Sequence, residues 1–157
     1  MRKRQISTAP LTVPPSGPGW LDVDRAASVE VTSEEDGYPI ESVLLGAENR
    51  GWRAANPGTQ TIRLVFDEPQ KLRRIVLVFE DSENTRTQEF VLRWSPDHGN
   101  SFREIVRQQW NFSSPDSVRE IEDYAVLLSA VTVLELTVVP DISGGAARAS
   151  LASLRVS

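Results

Sequence analysis

The residues best suited to recognise a ligand lie in a short polar stretch around one tryptophan. Trp52 has two arginines and an asparagine near it, namely Arg50, Arg53 and Asn56. An aromatic face packs against the C–H side of a pyranose ring, and guanidinium and amide groups hydrogen-bond its hydroxyls. This combination predicts a sugar-binding site. For Trp52 itself, the favoured interpretation is that its ring closes the end of a hydrophobic core.

Two further polar residues stand in short connections between predicted strands. Arg86 ends the stretch 81–86, which by itself is an ordinary polar hairpin connection. His98 is the single histidine and stands beside Gly99 in a turn, where nothing in the sequence supplies a partner to orient an imidazole for catalysis. Both residues are candidates for binding rather than for proton transfer.

Composition removes most catalytic chemistry. The chain of 157 residues has no cysteine and one histidine, which excludes thiol nucleophiles, disulfides and multi-histidine metal sites. Its net charge of −5 argues against nucleic acid or an anionic membrane surface as partner. It carries no phosphate loop, dinucleotide fingerprint or Gly-x-Ser-x-Gly motif. We therefore predict a binding protein without enzymatic activity and without an organic cofactor.

The elements that must position these residues are β-strands. Alternating apolar and polar residues, interrupted by Pro, Gly, Asp and Asn turns, predict strands at 60–66, 74–79, 90–94, 102–112, 118–128, 131–139 and 149–156. The stretch 67–70 predicts a turn, and 39–46 predicts a helix of at most two turns. Trp110 and Phe112 share one face of a strand, where a core position is favoured over a surface aromatic platform. The fold class predicted is an all-β antiparallel β-sandwich of about eight strands.

The first nineteen residues differ from the rest in composition. They contain four prolines, which predicts an extended or flexible leader at 1–19, followed by one binding domain at 20–157. No apolar run resembling a signal peptide or a membrane span occurs, which favours a cytoplasmic location without membrane insertion.

A family resemblance enters at the strand and turn around residue 95. Gly51-Trp52 precedes an alternating strand that ends in Phe66, and a later strand ends in Ser95-Pro96-Asp97-His98-Gly99 with Phe102 beyond it. This resembles the discoidin, or coagulation-factor type C, superfamily, with its galactose-binding-like jelly roll and its Ser-x-Asp-Gly turn. His98 is one residue more than that pattern has. Residues 26–157 carry the resemblance, and the absence of the cysteine pair common in eukaryotic members makes the chain look like a bacterial-type member.

The resemblance implies a binding function at one end of the sandwich. Such domains bind glycans, lipid head groups or proteins through loops, so a carbohydrate is the ligand expected here and a protein partner is the alternative. The loop that carries Arg86 becomes part of the expected binding end. Jelly-roll domains often hold a structural calcium near the chain start, which makes Asp22, Asp24 and Asp36 weak candidates. The expected site residues are Arg50, Trp52, Arg53, Asn56, Arg86 and His98.

Overall fold

The computed structural model describes residues 19–44 and 50–157, and within them it is dominated by β-strands. Two single-turn helices and eight strands follow in chain order: α1 Val23–Ala26, β1 Ala27–Val31, α2 Glu41–Leu44, β2 Trp52–Pro57, β3 Gln60–Glu80, β4 Arg86–Ser95, β5 Arg103–Phe112, β6 Arg119–Val139, β7 Arg148–Leu151 and β8 Ser153–Val156. All of the paired strands are antiparallel. The predicted all-β antiparallel architecture is confirmed.

Two strands of 21 residues each, β3 and β6, form the spine of the sheet. They pair along most of their length, with register shifts at 65–74 in β3. The predicted turn at 67–70 is wrong, because the chain passes Pro69 as an irregularity in a continuing strand. The predicted break between 128 and 131 is likewise absent, since both segments belong to β6. Hydrogen bonds to β6 on both sides of Pro69 keep β3 extended, and this long-range pairing cannot be predicted from the residues of the turn alone.

The sheet folds over itself at these irregularities. Its order is β1-β3-β6-β4-β5, and β8 pairs with the second half of β3, while β2 and β7 form a separate pair. The ring of Phe79, in the second half of β3, stacks on that of Phe90 in β4, with centroids 5.2 Å apart. Since β4 pairs with the second half of β6, this contact joins the two halves of the folded sheet into one core.

The predicted helix and final strand differ in detail from the structure. The helix at 39–46 is present as α2, while residues 45–46 lie outside the described residues. The final strand at 149–156 is two strands, β7 and β8, which pair with β2 and β3 respectively. Most of the predicted leader, residues 1–18, also lies outside the described residues. The division into leader and binding domain therefore stays a prediction.

The aromatic pair on β5 belongs to the core. Phe112 is fully buried and Trp110 packs half-buried against the core, so the core interpretation of this aromatic pair is confirmed. The backbone N–H of Leu21 donates to the carbonyl of Val156 (2.8 Å), which places the start and the end of the described fold side by side. Across residues 19–44 and 50–157, no helix has the length and apolar character needed to cross a bilayer.

Candidate functional site

An open pocket of about 820 Å³ lies where the loop after β3 faces the loop after β6. Its walls come from residues 80–86, 118–119, 141 and 144–148, together with Arg53 and Ser150. Charged and polar side chains supply much of this lining, and none of the lining residues is aromatic. The pocket therefore offers hydrogen-bond donors and acceptors at one end of the sandwich, without a flat ring to stack on.

Arg86 forms the base of this pocket and joins its two loops. Its side chain is almost completely buried, and its Nε donates to Asp81 Oδ2 (2.7 Å). Its Nη1 donates to the carbonyl of Pro140 (2.7 Å) and to Gln88 Oε1 (3.3 Å), while the guanidinium lies 4.5 Å above the ring of Phe112. The predicted candidate Arg86 thus lies in the pocket, where its buried donors hold the first loop against the second.

The carboxylate of Asp81 is shaped by the same contact. Burial alone raises its pKa, but hydrogen bonds from Arg86 and from the backbone N–H groups of Glu83 and Asn84 outweigh that effect. The net result is a lowered pKa, so Asp81 stays ionised at neutral pH. The loop 81–85 is therefore ordered by its own aspartate, which leaves its outer residues facing the pocket.

Below Arg86 the polar contacts continue into the sandwich. Gln88 Nε2 donates to Oε1 of Glu120, which is fully buried. Burial, together with the adjacent carboxyl group of Glu122, raises the pKa of Glu120 to about 9. At neutral pH Glu120 is consequently a protonated, neutral acid that supports the base of the pocket from inside.

A pair of arginines forms one wall of the pocket, and we call Arg53 and Arg148 the basic wall. They lie on the paired strands β2 and β7. Both contact one carboxylate, that of Glu35, with Arg148 Nη1 at 3.0 Å from Oε1 and Arg53 Nη1 at 3.8 Å from Oε2. The guanidinium of Arg53 also lies 4.3 Å over the ring of Tyr38. The predicted candidate Arg53 therefore reaches the pocket as part of a charged pair.

The close approach of β2 to β7 depends on a glycine. Gly51 has φ +73°, a conformation that L side chains rarely adopt, and an added Cβ would lie 2.7 Å from the carbonyl oxygen of Leu151. Directly after it, Trp52 pairs with Leu151. The glycine thus lets the strand that carries Arg53 lie against the strand that carries Arg148.

The other members of the predicted tryptophan cluster lie outside the pocket. Trp52 is only 1% exposed and its Nε1 donates to the carbonyl of Ser33 (3.0 Å), so no face of the ring is open to a ligand. The stacking role considered for Trp52 does not fit this burial, and the core role does. Arg50 is exposed and lies 5.9 Å from the ring of Tyr38, and Asn56 is exposed on β2. Neither lines the pocket.

His98 lies at the opposite end of the molecule. It belongs to the turn after β4, whereas Arg86 begins that strand, and ten residues of strand span about 30 Å. The turn satisfies its own polar groups: Ser95 Oγ accepts from the Gly99 N–H (2.8 Å) and donates to Asp97 Oδ1 (2.7 Å). Hydrogen bonds from Ser101 and Ser95 lower the pKa of Asp97 to about 2. The candidates Arg86 and His98 therefore cannot serve one ligand of monosaccharide size.

The three aspartates considered for calcium do not assemble a metal site. Asp22, Asp24 and Asp36 are all exposed, and Asp22 lies 3.9 Å from Arg25. Across residues 19–44 and 50–157, no three His, Cys, Asp or Glu side chains come together in a way that could hold a metal ion. The calcium site therefore stays a prediction, and we derive nothing through such an ion.

Sequence reasoning missed Arg148, which lines the pocket, and Glu35, which contacts both arginines of the basic wall. They are 113 positions apart, and no local pattern connects them. The available signal was the Gly-rich stretch that precedes Arg148, because glycines at 144 and 145 with positive φ mark a tightly turning loop beside a strand.

The family follows from a comparison with family models. Residues 26–150 match the model of the F5/8 type C domain, which covers most of the chain. The chain belongs to this family, and the predicted resemblance is confirmed. The comparison with curated proteins gave no match.

Solved structures agree on the fold. The chain is similar to the family 32 carbohydrate-binding module of NanJ from Clostridium perfringens, in complex with galactose, with TM-score 0.65, 15% identity, and coverage of 87% of this chain and 96% of the other. It is also similar to CpGH89CBM32-5 from Clostridium perfringens, in complex with GalNAc-β-1,3-galactose, with TM-score 0.66, 20% identity and coverage of 88% and 99%. CBM32-3 from a family 31 glycoside hydrolase of the same organism is similar with TM-score 0.64 and 20% identity, and the match covers 87% of this chain and 93% of the other. These matches confirm the galactose-binding-like β-sandwich.

Proposed function

We propose that this chain is a non-catalytic domain that binds a carbohydrate in the pocket between loop 81–85 and loop 141–147. The observation that carries the proposal is the polar pocket of about 820 Å³ at one end of the sandwich, a size suited to a small saccharide. Two of the similar solved structures are complexes with galactose and with GalNAc-β-1,3-galactose. Both are sugars whose hydroxyls require donors and acceptors of the kind that line this pocket.

Recognition in this pocket would depend mainly on hydrogen bonds. Carboxylate and amide groups on loop 81–85 accept from sugar hydroxyls, and guanidinium groups donate to them. The apolar lining residues Val118, Ala146 and Ala147 offer a small apolar surface for the C–H face of a ring. The mechanism differs from the predicted stacking on Trp52, because that ring is enclosed.

The chemistry of the lining supports binding rather than catalysis. Acid–base catalysis needs a group whose pKa lies near the working pH. The lining aspartates Asp81 and Asp141 instead have lowered pKa values, through Arg86 and backbone N–H groups in one case and through Ser143 in the other. Neither is suited to deliver a proton near neutrality.

A protein partner remains the alternative proposal, and the exposed apolar side chains favour it less. On β6, Ile121 and Leu127 are 57% and 82% exposed on the outer face. Between them on that face lies Asp123, which is held by two hydrogen bonds from Arg74 (2.9 and 2.7 Å). A charged pair thus interrupts the apolar surface that a stable protein interface requires.

The test compares two asparagines at opposite ends of the molecule. Isothermal titration calorimetry with galactose, N-acetylgalactosamine and GalNAc-β-1,3-galactose would first establish binding. Asn84→Ala, in the pocket, should weaken the affinity roughly 3- to 10-fold, the effect of about one hydrogen bond. The matched control Asn100→Ala, in the turn that carries His98, should leave it unchanged. Absence of binding to any sugar, or equal loss in both variants, would contradict the proposal.

A further inference from the structure

The basic wall carries one positive charge more than its own partners balance. Arg53 and Arg148 both contact Glu35, so two guanidinium groups share one carboxylate. Their side chains are 44% and 45% exposed, so a ligand can reach both guanidinium groups. A second anion placed between them would relieve the repulsion of these like charges.

The geometry of Arg53 is fixed for such a contact. Its guanidinium lies 4.3 Å over the ring of Tyr38, where a cation–π interaction favours one orientation of the plane. Gly51 holds β2 tightly against β7, so that Arg148 is a near neighbour. The wall is therefore preorganised, and little conformational entropy is lost when it accepts a ligand.

Two of the four acids that line the pocket, Glu80 and Asp81, have arginine partners of their own, whereas Glu83 and Asp141 form no ion pair with the described residues. Glu80 lies 3.4 Å from Arg119, and Asp81 is bound to Arg86 at 2.7 Å. Asp141 Oδ1 accepts from the side chain and the backbone N–H of Ser143. The pocket thus has a donor side, the basic wall, and an acceptor side on the two loops.

We infer that the pocket selects a saccharide that bears a carboxylate, a uronic acid, with this carboxylate bound by Arg53 and Arg148 and its hydroxyls facing loops 81–85 and 141–147. This inference rests on the proposed function and specifies the ligand class for the same site. A carboxylate matches the forked donors of two guanidinium groups better than a hydroxyl does, because it can accept from both at once with full charge.

The test uses pairs of sugars that differ only in the carboxylate. Calorimetric titration of the full chain compares methyl galactoside with methyl galacturonide, and methyl glucoside with methyl glucuronide. In at least one pair the acid should bind 10-fold more tightly or better at 50 mM salt. The advantage should shrink several-fold at 500 mM salt, because the guanidinium groups are half exposed and screened.

A variant assigns the preference to the wall. Arg148→Gln should remove most of the preference for the acid, because it should lower the affinity for the acid at least 5-fold more than the affinity for the neutral sugar. Arg103→Gln, an exposed arginine on β5 with the same loss of charge, should preserve the preference. Thermal melting within about 2 °C of the parent protein would show that both variants fold.

The outcomes separate this inference from the proposed function. Equal binding of acid and neutral sugars, or a preference that survives Arg148→Gln, overturns the inference and leaves the sugar-binding proposal standing. Failure of every sugar, neutral or acidic, to bind overturns both.

Discussion

The two ends of the sandwich carry polar loops of similar composition but use them differently. At the end that holds His98, the side chains of Ser95 and Asp97 bond the backbone and hydroxyl groups of their own turn. At the pocket end, buried Arg86 joins two loops from below, so that residues such as Asn84 and Arg148 face an open space. The difference is whether the polar groups are used inside the loop or remain available outside it.

This contrast explains why a motif and a site need not coincide. The Ser-x-Asp-Gly-like turn is the most recognisable feature of the sequence, yet its polar groups are occupied in shaping the chain. The backbone N–H of His98 donates to Thr132 Oγ1 (2.8 Å), and that hydroxyl donates to the carbonyl of Ser95 (2.8 Å). A turn whose donors and acceptors are satisfied internally contributes to stability and has few left for a ligand.

The largest effect is expected from removing the residue on which the pocket end depends. Arg86→Ala leaves the buried Asp81 carboxylate and the Pro140 carbonyl without their donor, which should cost about 3–5 kcal/mol of unfolding free energy and abolish ligand binding. Denaturation and calorimetry measure the two effects. The control Arg103→Ala, at the opposite end of the sandwich, removes an exposed arginine that lies 5.2 Å over the ring of Trp94, and it should change stability by no more than about 1 kcal/mol. A folded Arg86→Ala variant with full affinity would contradict the role of Arg86 as the base of the pocket.

An intermediate, pH-dependent effect is expected from Glu120 beneath the pocket. An unfolded glutamate ionises near pH 4.5, whereas folded Glu120 keeps its proton up to about pH 9, so unfolding free energy falls as pH rises between these values. Glu120→Gln removes this dependence and should stabilise the protein by roughly 1–3 kcal/mol at pH 8, and by little at pH 5. Urea denaturation at pH 5, 7 and 9 measures it, with exposed Glu104→Gln as control. A gain that is the same at every pH would show that Glu120 is ionised in the folded protein.

The smallest effect is expected at the His98 end. His98 has φ +60°, which a glycine adopts without strain, and the hydrogen bond to Thr132 uses its backbone N–H and survives the change. His98→Gly should therefore leave sugar affinity unchanged and shift stability by no more than about 1 kcal/mol, toward greater stability. Calorimetry and thermal melting test both parts. Lost affinity would show that this end also contacts ligand, and the contrast between the two ends would fail.

Local patterns predicted the strands well because alternation is a property of neighbouring residues. Ile62, Leu64 and Phe66 are buried on one face of β3 as their spacing predicts. The same reasoning placed a turn at 67–70, because Pro69 cannot donate a hydrogen bond and the pairing with β6 that carries β3 past it is not a local property.

The site was predictable only in part for the same reason. Arg53 and Arg86 were identified from residue type and loop context, and both line the pocket. Trp52 was grouped with them because it is adjacent to Arg53 in the sequence. Neighbouring residues on a strand point to opposite sides, however, so Trp52 points inward while Arg53 points outward. Arg148 and Glu35 meet Arg53 only through the pairing of β2 with β7 and the path of the chain before α2, which no short window of sequence contains.

The hydrogen bond between Leu21 and Val156 has a consequence for how this fold can be attached to other chains. Ser157 pairs with Arg74, far along β3 from Glu80 at the pocket rim. A linker attached at either end of the described fold would therefore begin at the same place, away from the pocket, and would leave the pocket accessible to ligand. Because residues 21 and 156 lie side by side, the described fold is also a natural subject for circular permutation, in which a short linker joins its two ends and new ends open elsewhere.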